Sequence, residues 1–177
     1  MISCRRTPSL GSGLRCCILG CLLALLLPVA AWAAGSIEVG VVCFRVPADW
    51  QQVPAGNPKV TQFRRSPGAG PVMQFQRGDD SVGQEIERLL TGFAEPRSRL
   101  KPRIWHEQVA GRSVTMLDAT GSPPAQAGPG RHRMLAAVFE TRRGPVVASL
   151  DGSPAAVAQA AAGFWAVVHA ATDPLKP

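Results

Sequence analysis

The sequence predicts an α+β domain: a mostly antiparallel β-sheet of about seven strands covered by two main helices, in the order β-β-β-α-β-β-β-β-α. Three observations carry this reading. The stretch Gly70 to Phe93, GPVMQFQRGDDSVGQEIERLLTGF, is a strand, a turn and a helix in one piece. Elsewhere, short β-branched runs alternate with tight turn signals, which favour antiparallel neighbours. Near the end, an Ala-rich run carries apolar residues on or near one face at helical spacing.

Taken in order, Val39 to Val46 is the first strand, with Phe44 and Val46 on one face and Cys43 and Arg45 on the other. Pro47-Ala48-Asp49-Trp50 ends it, and Trp50 is expected to tuck back as a core anchor. Val53 to Pro58 is a loop. Val60 to Arg65 is the second strand, with Phe63 facing in, and Ser66 to Gly70 turns into the third. There Met73 and Phe75 alternate with Gln74 and Gln76, the period of a strand.

Arg77-Gly78-Asp79-Asp80 breaks the run. Ser81 with Gln84 forms a capping-box pattern, and Val82, Ile86, Leu89, Leu90 and Phe93 then make one helical stripe. The stripe is expected to pack on the sheet beside Phe75. Glu95 to Arg103 is a basic linker. Ile104–Val109 and Arg112–Thr120 read as strands joined at Ala110-Gly111; a two-residue loop would set Trp105 opposite Met116 and Glu107 opposite Val114. Gly121 to Gly130 is a second loop. Arg131–Thr141 and Val146–Leu150 are the last strands, turning at Arg142 to Pro145. Ser153 is an N-cap with Pro154 at the first helical position, and Asp173-Pro174 stops the final helix.

The first 33 residues read as a secretory signal peptide, leaving a single domain over 34–177. Arg5, Arg6 and Arg15 are basic, Cys16 to Ala34 carries no charge, and Ala31-Trp32-Ala33 suits cleavage after Ala33. The alternative is an uncleaved N-terminal anchor. Cleavage removes Cys4, Cys16, Cys17 and Cys21, so Cys43 has no partner for an internal disulfide. It also leaves 16 Lys+Arg against 12 Asp+Glu, a formal charge of +4. That charge is too small to argue for nucleic acid, and no transmembrane helix is expected after cleavage. The expected location is periplasmic or secreted.

Several pieces between Val42 and about Ala170 carry a family likeness. They are Pro47-x-x-Trp50, Gln62-Phe63, Gly70-Pro71-Val72-Met73-Gln74-Phe75, Gly92-Phe93, Val109-Ala110-Gly111, Asp118-Ala119-Thr120-Gly121 and Met134-Leu135-Ala136-Ala137. With the element order, they make the chain resemble secreted bacterial proteins of unassigned function with the PsbP-like fold. The extrinsic photosystem protein P and the Ran-binding Mog protein share that fold. A tryptophan expected in the first helix is here Leu89 or Leu90. The resemblance implies an antiparallel sheet with helices packed on it and a binding or assembly factor without chemistry of its own; it points to no catalytic residue.

The residues themselves agree. There is no G-x-S-x-G, and Ser149, His106, His132 and Asp118 form a hydrolase set only on paper. His106-Glu107 and Arg131-His132-Arg133 lack metal-ligand spacing, and Asp79-Asp80 and His169 suit the dipoles of the helix ends beside them. Gly68-Ala69-Gly70 joins two strands, so it is no phosphate loop. Cys43 reads as a small buried hydrophobe. No cofactor is implied. Arg97, Arg99, Lys101 and Arg103 fall at every second residue and would share one side of an extended segment. A solvated face accounts for them; so does a contact surface for an anionic envelope partner, whether protein, polysaccharide or lipid. The expected function is therefore a non-enzymatic binding or assembly module of the cell envelope. The alternative is a small envelope hydrolase or small-ligand-binding protein.

Overall fold

The computed structural model describes residues 35–65, 70–123 and 130–173. The segment read as a signal peptide and the turn at 66–69 lie outside them. The elements are β1 (Gly35–Val39), β2 (Val42–Val46), β3 (Gln51–Val53), β4 (Val60–Arg64), β5 (Val72–Arg77), α1 (Val82–Leu90), α2 (Arg97–Leu100), β6 (Arg103–Val109), β7 (Arg112–Gly121), β8 (His132–Phe139), β9 (Val146–Gly152) and α3 (Pro154–His169).

One seven-stranded sheet runs β3-β4-β5-β9-β8-β7-β6. Every neighbouring pair in it is antiparallel. β1 and β2 form a separate two-stranded hairpin. The single first strand expected over 39–46 is thus two strands. Gly40, at φ +63°, reverses the chain where a β-branched run hides the break. The sheet reaches seven strands with β3, a short edge strand inside a stretch rich in turn residues.

The β6–β7 turn has two residues, with Trp105 opposite Met116 and Glu107 opposite Val114, as the spacing requires. Gly111 (φ 71°) takes left-handed backbone freely, whereas Ala110 (φ 53°) does so against its Cβ. The starts of α1 and α3 carry the caps read from sequence. The Ser81 hydroxyl accepts from the Gln84 N–H at 3.4 Å, and the Gln84 side chain accepts from the Ser81 N–H at 3.1 Å. The Ser153 hydroxyl accepts from the Ala156 N–H at 3.3 Å.

Strands β8 and β9 are buried on both faces. On one face Phe63, Met73, Phe75, Met116, Leu135, Phe139 and Leu150 meet α3 and the β1–β2 hairpin. Phe44 sits at its centre, 4.7 Å from the Phe75 ring and 5.4 Å from the Phe139 ring. On the other face Leu117, Ala119, Met134, Ala136, Val138 and Val147 take Ile86, Leu89, Leu90, Phe93 and Leu100. The α1 stripe is buried, but not beside Phe75: it lies on the opposite face of the sheet. Helical periodicity says which side of α1 is apolar, not which of two apolar sheet faces receives it. Trp50 is buried as expected, with its indole N–H meeting no acceptor. Cys43 is half-buried, not buried; it lies on the outward face of β2, and its backbone pairs with Thr172.

Two substitutions test this arrangement. Leu89→Ala opens a cavity over β7 and β8 and is expected to cost about 2–5 kcal/mol in urea unfolding. A loss within experimental noise would contradict the packing. Ala110→Asn relieves the left-handed position and is expected to stabilise by about 0.5–1 kcal/mol; lower stability would mean the turn is not of this type.

Candidate functional site

The basic segment sits where α2 leads into β6. Its cations do not form one row. Leu100 is buried against the sheet, which draws Arg97–Leu100 into a helical turn, and Lys101 leaves it at φ 46°. Alternate residues share a side only in extended chain, so the expectation of one-sided spacing across Arg97, Arg99 and Lys101 is corrected. Arg97 pairs with Glu87 of α1. Arg99, Lys101 and Arg103 are all exposed, and the Arg103 guanidinium lies 5.0 Å from the centre of the Trp105 ring.

The base under this segment is held by hydrogen bonds and close packing. Glu95 accepts from the Ser122 N–H at 2.7 and 3.0 Å and from the Ser122 hydroxyl at 2.8 Å. These bonds hold its carboxyl below the usual glutamate range. Gly121 passes so close that a Cβ there would lie 2.5 Å from Leu100 and 2.8 Å from both Phe93 and Glu95. Asp118, opposite Arg103 in the ladder, is taken by Arg133 through two bonds of 3.0 and 2.7 Å, which push the Arg133 guanidinium further up.

The paper hydrolase set does not assemble. His106 Nδ1 meets the Thr115 hydroxyl at 3.1 Å, His132 Nε2 meets Asp151 at 2.5 Å, Asp118 meets Arg133, and Ser149 is buried. Burial raises the Asp151 carboxyl, against the lowering effect of His132 beside it. Among the described residues, no three or more His, Cys, Asp or Glu stand together as metal ligands would.

Sequence reasoning missed one cluster. Glu107 on β6 accepts from Trp105 Nε1 at 2.7 Å and meets His169 Nε2 at 2.8 Å. The Trp105 and Trp165 rings meet edge-on, 5.6 Å apart. His169 does sit at the negative end of α3, but its partner lies 62 residues away and leaves no local signal.

No family model matches the sequence, and no curated protein matches it. Among solved structures, the chain is similar to cyanobacterial PsbP (CyanoP) from Synechocystis sp., with a TM-score of 0.56 and 13% identity over 82% of this chain and 95% of that one. The fold is PsbP-like. A protein of unknown function from Pseudomonas aeruginosa is also similar, with a TM-score of 0.43 and 14% identity over 77% of this chain and 94% of that one. No helix among the described residues of this PsbP-like domain is long and apolar enough to cross a membrane.

Two of the perturbed carboxyls, Glu95 and Asp151, predict opposite pH responses. Glu95 has a depressed folded pKa, so its contribution is present above the unfolded value of about 4.3 and is lost as pH falls through the folded one. Asp151 has a raised folded pKa, so its contribution is lost as pH rises from about 3.9 through the raised value. In stability–pH curves from chemical denaturation, Glu95→Gln is expected to flatten the acid-side loss, and Asp151→Asn to remove a decline on the rising side. Curves parallel to wild type would refute both assignments.

Proposed function

We propose that the protein is a non-enzymatic binding or assembly module of the cell envelope, exported across the cytoplasmic membrane, and that it meets an anionic partner surface through Arg99, Lys101 and Arg103, with Arg97 beside them. One observation carries the reading: three exposed cations ride on a short connection whose base is locked by buried Leu100 and by the Glu95–Ser122 bonds. Charges that contribute nothing to a core, on a support that does not need to order on contact, suit recognition of an anionic surface. The dispersal of Ser149, His106, His132 and Asp118 among separate partners supports a non-enzymatic role over the small hydrolase. The export reading rests on the charge-free run and the Ala31-Trp32-Ala33 site.

The attraction is expected to weaken as salt rises, because exposed charges are screened within about 8 Å at physiological ionic strength. Reversing Arg99 and Lys101 to Glu is expected to change stability by no more than about 0.5 kcal/mol and to abolish binding to an envelope fraction at low salt. Wild-type binding indifferent to salt, or undiminished binding by the reversed protein, would reduce the segment to a solvated connection.

A further inference from the structure

The end of the sheet opposite the basic segment holds a cleft of about 760 Å³. Three hairpin tips wall it: Val41 between β1 and β2, Ala110-Gly111 between β6 and β7, and Thr141 to Arg143 between β8 and β9. Asp173, on the C-terminal strap after α3, closes one side. The β8–β9 tip and the strap are tied down. The Thr141 hydroxyl donates to the Gly144 carbonyl at 2.5 Å and accepts from the Arg143 N–H at 3.2 Å. The Arg77 guanidinium donates to the Arg143 carbonyl. Cys43 and Thr172 exchange backbone bonds of 2.9 and 3.0 Å, which hold the strap.

The charge in this cleft is positive on balance. Arg112, Arg142 and Arg143 line it against Glu140 and Asp173. Arg142 and Arg143 are exposed, whereas the Arg112 side chain is only 18% exposed and that of Asp173 13%. Asp173 takes Nη2 of Arg112. The Nε–H of the same guanidinium is sealed from water and meets no acceptor. Arginine presents Nε–H and Nη–H as a fork that matches two oxygens of one oxyanion. Here one tine is filled and the other is not, and a buried charged donor left unmet is costly.

We infer that this cleft binds a small oxyanion, a phosphate or carboxylate group, on Arg112, Arg142 and Arg143, with Asp173 as the built-in carboxylate that occupies Arg112 until the ligand displaces it. The ligand fills both tines of the fork, which Asp173 does not. The strap need not unpeel for this exchange, because its backbone pair with Cys43 is separate from the Asp173 side chain. Glu140 at the rim limits the excess of positive charge, which suits one compact oxyanion and not a polyanion. The inference is independent of the envelope contact proposed above, since the two sites lie at opposite ends of the strands.

The test is an NMR titration of the labelled chain with inorganic phosphate and, separately, with succinate at constant ionic strength, following the amides of Gly111, Arg112 and Arg143. Saturable shifts confined to the three tips are expected with at least one probe, and the probe that saturates names the oxyanion. Arg142→Ala with Arg143→Ala, both at exposed positions, is expected to weaken the affinity about tenfold. Asp173→Asn is expected to tighten it several-fold by removing the competing carboxylate. Shifts that fail to saturate with both probes, or that ignore the double substitution, overturn the site. An affinity unchanged or weakened in Asp173→Asn overturns the displacement.

Discussion

A single sheet with two apolar faces has to be covered twice, and the rest of this molecule follows from that. In β8, Met134, Ala136 and Val138 point one way and Leu135, Ala137 and Phe139 the other, and all six are buried. Burying one large apolar side chain contributes about 1.5–3 kcal/mol, so neither face can be left to water. The chain meets the demand with two unlike lids. One is the crossover from β5 to β6, carrying α1 and α2. The other is α3 with the β1–β2 hairpin. Alanines at the centre of the sheet, Ala136, Ala137 and Ala148, leave room for the large residues of the lids, among them Phe164 and Phe93.

Polar chemistry is correspondingly pushed to the margins. The partly buried pairs, Asp118 with Arg133 and Asp151 with His132, lie at the strand ends beyond the lids. Glu95 with Ser122 and Glu107 with His169 join elements that the sheet ladder does not connect. Each carboxyl is already committed to a partner within the fold. Those of Glu95 and Glu107 tie together connections that the strand ladder leaves separate. The same logic singles out Arg112, whose tie to Asp173 is incomplete on the guanidinium side.

What could be read from the sequence divides along physical lines. Features set by neighbours within a few residues were legible: the capping box at Ser81, the cap and proline opening α3, and the pairing across Ala110-Gly111. The α+β layering was legible too, because short strands with tight turns leave few alternatives; the PsbP-like fold was legible only as a resemblance of element order and motifs. Three things were not. The turn at Gly40 was masked by valines on both sides. The helical turn at Arg97–Leu100 depends on burial of Leu100 against distant Phe93 and Gly121. The side of the sheet taken by α1 depends on where the chain must go next: β6 is the far edge of the sheet, and α3 occupies the other face. At the candidate sites, Arg97, Arg99, Lys101 and Arg103 were named from their charge and their alternate spacing, and the helical turn at Arg97–Leu100 removes the spacing argument. The Glu107–His169 contact and the cleft around Arg112 were out of reach, since their members are far apart in the chain.

The two ends of the sheet differ in a way that bears on what each can bind. At the end bearing Gly40, Ala110 and Gly144, the tips are short and use left-handed backbone, at φ values of 63°, 53° and 96°. A chain that reverses so tightly has few other conformations of similar energy, so the walls of the cleft stand ready before any ligand arrives. On the inference drawn above, selection there would come from shape and from the Arg112 fork. At the other end Arg99, Lys101 and Arg103 are exposed on α2, the residue after it and the start of β6. Contacts of that kind set encounter rate and salt dependence more than fit. On the two proposals made above, the fold would separate two kinds of recognition along one set of strands, a cleft walled by tight turns at one end and exposed cations at the other. Neither interrupts the two-faced core that supports both.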